Sequence, residues 1–202
     1  MRWIDIAGEL DESPRAIPQP RSTRFDDPVA NQAFAARTLR RQTEVIEQTP
    51  DYRIIRTGDG HRGWIMLYNE HQHSADYVVQ YATKNWPFLT SRTVTQVIIW
   101  RDPSSLYARN LTRRMFFDYL LTRYGAIMSD LEQTPQGNDF WRARMADAAG
   151  MGFHVGIVKL NQKDVSWFDP AAGQSTGQWL RAQNTYGTQK HFEAIRYLIM
   201  NT

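Results

Sequence analysis

Hydrophobic and polar positions alternate in two regimes along the chain, and the first is helical. Asp27-Pro28 pairs an N-cap residue with a proline suited to the first helical position. The run VANQAFAARTLRRQTEVIEQ follows, with Val29, Phe34, Leu39, Val45 and Ile46 on one apolar stripe. This predicts one long helix that stops at Thr49-Pro50. Four runs of strand character come next: 52–56, 63–68, 76–81 and 93–100, the last being richest in β-branched residues. Thr57-Gly58-Asp59-Gly60 reads as a hairpin turn, and the short connections predict an antiparallel meander.

The second regime alternates helix and strand. Leu111, Met115, Phe116, Tyr119 and Leu120 have helical spacing, which predicts a helix over 106–124 closed by Gly125. Residues 126–130 read as a short buried strand, and Thr134-Pro135-Gln136-Gly137 as a turn. Asn138 is placed to cap a helix carrying Phe140, Trp141, Met145 and Ala148, ending at Gly150 or Gly152. Strands are expected at 153–158, 165–168 and 191–200, while 170–190 shows no clear period. Residues 1–26, with Pro14, Pro18 and Pro20 and mixed charges, read as an arm preceding a single domain over 27–202.

Composition narrows the chemistry. A chain of 202 residues fits one domain, and the absence of cysteine removes disulfides, thiolate metal sites and a cysteine nucleophile. No apolar run approaches the ~18 residues of a membrane span, and the N-terminal stretch has no signal-peptide core, so the cytoplasm is the expected compartment. Of 24 basic residues only four are Lys, and the rest are Arg, which suits phosphate and carboxylate recognition. A net charge of +3 without a dense basic run argues against a nucleic-acid partner.

The block TVTQVIIWRDPSSLYARNLTRRMFFDYLLTRYGAIMSDLEQTPQGNDFWRARM carries a resemblance. It looks like the central strand, cofactor helix, next strand and following helix of the GNAT family of N-acetyltransferases, above all divergent members encoded by bacteria and their phages. The resemblance spans roughly 52–200 and implies an α/β fold: an antiparallel meander, then strand-helix-strand-helix-strand, with the central strand splayed from its neighbour. It further implies acetyl-CoA or another acyl-CoA as cofactor. Ile99, Trp100 and Arg101 would bind the cofactor at the splay. The loop and helix start Tyr107, Arg109, Asn110, Leu111, Thr112, Arg113 and Arg114 would meet the pyrophosphate, where helix N–H groups and dipole favour anions. The family pattern there, Arg/Gln-x-x-Gly-x-Gly/Ala, is departed from: Tyr107, Asn110 and Thr112 stand at its three marked positions. Asn tolerates the left-handed turn better than most residues.

Acyl transfer to an amine needs a base for the ammonium proton and an acid for the leaving thiolate. Asp130, at the end of a strand, is the candidate base, with Glu132 close behind; Asp130 fits a turn-capping role equally well. Many family members place a tyrosine acid where this chain has Phe153-His154, which leaves His154 as the local substitute. His71-Gln72-His73 sets two imidazoles on one face of an extended segment, without a third ligand nearby. Trp86, Trp141, Trp167 and Trp179 are candidate interface anchors. Three functions fit these features: an N-acyltransferase acting on a small-molecule or protein amine, a catalytically inactive relative that binds a protein partner, and a nucleic-acid binder.

Overall fold

The computed structural model describes residues 23–59, 61–86, 89, 93–109, 111–129, 135–159, 164–183 and 195–201. Two helices come first, α1 (Thr23–Asp26) and α2 (Pro28–Leu39). Asp27 caps α2 as its sequence position requires, its Oδ1 accepting from Val29 N at 3.0 Å. The long helix expected through Gln48 stops at Leu39, and Thr43–Gln48 is instead strand β1. Thr43, Val45 and Ile46 are β-branched, and an antiparallel partner outweighs the weak helical stripe. The packed unit also begins earlier than the sequence suggests. Phe25, within the stretch read as an arm, is buried against Phe34 and stacks on Trp100; residues 1–22 lie outside the described residues.

The meander follows as β2 (Tyr52–Gly58), β3 (Arg62–Asn69), β4 (Ser74–Lys84) and β5 (Thr93–Arg101), each pairing antiparallel with its predecessor. Gly58 turns the β2–β3 hairpin at φ +117°, where a Cβ would lie 2.3 Å from the Arg62 carbonyl oxygen. Asp59 completes the turn by accepting from the amides of His61 and Arg62.

Helix α3 then runs from α-helical Leu111–Arg114 through π-helical Met115–Leu121 to Thr122–Tyr124. The stretch 106–110 expected at its start is not helical among the described residues. In the π segment the buried residues fall five apart, Met115 with Leu120 and Phe116 with Leu121, as wider turns demand. Gly125, at φ +78°, releases the chain into β6 (Ala126–Met128). Helix α4 (Pro135–Gly150) comes next, then β7 (His154–Lys159), β8 (Asp164–Trp167), α5 (Thr176–Ala182) and β9 (Ile195–Met200). Asn138 does not cap α4: the helix begins at Pro135, which puts Asn138 inside it and buried.

The described strands form one mixed sheet of nine, ordered β1-β2-β3-β4-β5-β6-β9-β7-β8, in an α+β arrangement. Side-chain alternation splits the core in two. Ile54, Ile65, Leu67, Tyr77 and Ile99 face α3 and α4, while Ile55, Met66, Val78 and Trp100 face α1 and α2. Trp141 and Trp179, expected as surface anchors, belong to the core, whereas Trp167 remains exposed. Among the described residues no helix is long and apolar enough to cross a membrane.

Candidate functional site

β5 and β6 are parallel neighbours, but their pairing covers only Thr93–Thr95 with Ala126–Met128. β5 then continues to Arg101, bonded on its other side to β4 alone among the described residues. Beyond Thr95, β5 has no pairing with β6 among the described residues, because β6 ends at Met128. The chain leaves β5 at Asp102, whose amide donates to Asp76 O at 2.8 Å, and reaches α3 through a serine-anchored loop.

A cavity of about 400 Å³ opens at the start of α3. Tyr107, Arg109, Leu111, Arg113 and Arg114, all expected at the cofactor site, line it, together with Tyr52, Phe117, Asp118 and Met151. The aromatic wall is the Tyr52–Tyr107 pair, with ring centroids 5.3 Å apart. Loop residues at one end of the meander thus meet helix residues far away in sequence. Nothing in the spacing around Tyr52, at the start of β2, or Met151, in the turn after α4, signals this.

The three arginines are not equivalent. Arg114 Nη2 lies 2.9 Å from Glu47 Oε2 at the end of β1. Glu47 also accepts a hydrogen bond from the Tyr52 hydroxyl. That bond, followed by burial and the Glu47 charge, holds the Tyr52 phenol above its ordinary range. Arg113 Nη2 meets only the Met151 thioether, at 3.5 Å. Arg109 makes no side-chain hydrogen bond or ion pair to the described residues. Arg109 and Arg113 thus form no ion pair among the described residues, and with Arg114 they outnumber the one lining carboxylate, Asp118, which is an electrostatic setting for a polyanion.

Other expected site residues are placed elsewhere. Trp100 points to the opposite face of the sheet, because alternation along β5 sends it towards α2. It donates there from Nε1 to Asp26 Oδ1 at 3.2 Å, so only its main chain borders the splay. Ile99 packs into the core beneath α3. Thr112 and Arg101 sit beside the Tyr77 hydroxyl rather than lining the cavity, and burial pushes that phenol well above its usual range.

His154 lies on β7, separated from β6 by β9. It pairs with Met200, and Met200 pairs with Ala126 at the N-terminal end of β6. His154 is exposed and packs against Trp167. Asn110, Asp130 and Glu132 lie outside the described residues. His71 and His73 occupy a turn, not an extended segment, and bond separately to Asp51 and Tyr68.

A buried polar cluster that sequence reasoning did not foresee closes the end of β6. Ser129 N donates to Tyr197 O at 2.8 Å, Tyr197 N donates to Ser129 Oγ at 2.9 Å, and the Tyr197 hydroxyl donates to Asn138 Oδ1. Arg196 Nη1 approaches Ser129 O at 3.4 Å. The chain matches no protein-family model, and no curated protein is significantly similar to it in sequence.

Proposed function

We propose that the chain is a cytoplasmic N-acyltransferase of the GNAT type, which uses acetyl-CoA or another acyl-CoA to acylate an amine of a small molecule or protein. The observation that carries this reading is the cationic cavity at the start of α3, in the segment that follows β5. The order of the meander, parallel β5–β6 pair and two following helices supports it, as do the Tyr107, Arg109, Arg113 and Arg114 side chains meeting in one place.

Acyl-CoA would supply an activated thioester. Arg109 and Arg113 would hold its phosphates, helped by the first-turn amides of α3. Arg114, already paired, would contribute less. Main-chain groups of β5 at Ile99–Arg101, which pair only with β4 among the described residues, would be offered to an extended chain lying beside them. Asp130, the residue after the buried Ser129, is the candidate base for the acceptor ammonium. Removing that proton would let the amine nitrogen attack the thioester carbon; the C–S bond would then break, and the nitrogen's second proton would pass to the departing thiolate.

Leu106, Tyr107 and Met151 are exposed apolar side chains on or beside the cavity. They favour a second reading, in which the same site recognises a protein partner and catalysis has been lost. Isothermal titration with coenzyme A, followed by an amine-acylation assay with acetyl-CoA, separates the two. Binding with turnover supports the transferase, binding without turnover supports the second reading, and no binding rejects the assignment of the cavity.

A further inference from the structure

Asp76 is 2% exposed, yet it forms no ion pair among the described residues. Its carboxylate is satisfied by neutral donors alone. Oδ2 accepts from Asn69 Nδ2 at 3.0 Å and from the Ser105 hydroxyl at 2.6 Å, while Oδ1 receives Ser74 Oγ at 3.4 Å. A buried carboxylate without a cation is costly, and hydrogen bonds to it are correspondingly strong.

The bonds lead somewhere specific. Ser105 stands in the loop between β5 and α3, and its Oγ accepts from the amide of Ala108 at 3.2 Å. Ala108 is fully buried, and its carbonyl receives Leu111 N, the first residue of α3, at 3.4 Å. Its two chain neighbours, Tyr107 and Arg109, both line the cavity. The same Asp76 also takes Asp102 N on its main-chain oxygen, so one residue of β4 grips the loop at its entry and at its middle.

We propose that Asp76 is a positioning residue for anion recognition: through Ser105 its carboxylate fixes the Ala108 backbone and thereby aims Tyr107 and Arg109 into the cavity. The inference rests on the reading of that cavity as a coenzyme A site. It explains how the loop keeps its form without the glycines that the family pattern has, since an external tether replaces intrinsic turn preference.

The test uses the full chain and two probes, coenzyme A and adenosine 3′,5′-diphosphate, with hydrogen exchange of the Ala108 amide as an independent readout. Ser105→Ala should weaken both probes about tenfold or more, as expected for a lost hydrogen bond to a charged group. It should also speed Ala108 exchange, and Ser105→Thr, which keeps the hydroxyl, should restore both properties. Asp76→Asn should behave like Ser105→Ala and serves in its place should that variant not fold. Wild-type affinity and unchanged Ala108 exchange in Ser105→Ala would overturn the proposal. A wild-type chain that binds neither probe overturns the coenzyme A reading itself. The tether is then judged on Ala108 exchange alone, with faster exchange in Ser105→Ala supporting it and unchanged exchange overturning it.

Discussion

Arg114, in the first turn of α3, holds Glu47 at the end of β1 with Nη2 2.9 Å from Oε2, so the cavity's cationic wall is partly neutralised by the strand beside it. The Tyr52 hydroxyl shares that carboxylate. Replacing Glu47 therefore changes the charge beside the site while leaving every cavity-lining residue in the sequence unchanged.

Glu47→Gln should raise coenzyme A affinity about threefold at low salt, and the gain should shrink as ionic strength rises. Stability should fall by no more than about 1 kcal/mol, because the pair is partly exposed. The Tyr52 phenol should titrate at lower pH in the variant, since the bond to Glu47 is the largest cause of its raised value. Calorimetry at two salt concentrations and an ultraviolet phenolate titration check these outcomes.

Phe25 tests where the packed unit begins. Its ring is buried between Phe34 and Trp100, and Phe25→Ala should destabilise the fold by about 3 kcal/mol. Coenzyme A affinity of the folded variant should stay close to wild type, because this core lies on the face of the sheet away from α3. Urea denaturation gives the first quantity, and titration well below the transition gives the second.

Alkaline pH should loosen the contact between α3 and the edge of the sheet. Burial, reinforced by the Glu44 charge, pushes the Tyr119 phenol up to about 12, and burial raises Tyr81 as well. A tyrosine in the unfolded chain loses its proton near pH 10. Between those values the unfolded state binds fewer protons than the folded one, so stability falls as pH rises through the window. Urea midpoints measured from pH 9 to 11.5 should decline, and Tyr119→Phe should make the decline shallower.

The meander was legible because β-branched runs between turn residues report a strand whatever surrounds them, and Gly58-Asp59 turns where its chemistry says it should. Residues 43–48 were misread because Val45 and Ile46 continue a helical spacing, while the force that makes them a strand is pairing with β2, which lies outside any local window. The same limit applies to the site. The helix-start residues Arg109, Arg113 and Arg114 are adjacent in sequence and could be grouped by inspection. Tyr52 and Met151 join them only through tertiary packing, and the place of His154 follows from the register of β7 on β9. Trp141 and Trp179 looked like surface anchors by composition, but the core took them in.

The central claim is that the cavity beside α3 is a coenzyme A site built on Arg109 and Arg113, and titration of coenzyme A into wild type and into Arg109→Gln/Arg113→Gln tests it most directly. Each lost guanidinium removes a charge-assisted bond to phosphate worth roughly tenfold or more in affinity. The double variant should therefore bind at least about a hundredfold more weakly, with a shallower dependence on salt and an unchanged melting temperature in the absence of ligand. Wild-type affinity and salt dependence in the double variant would contradict the claim.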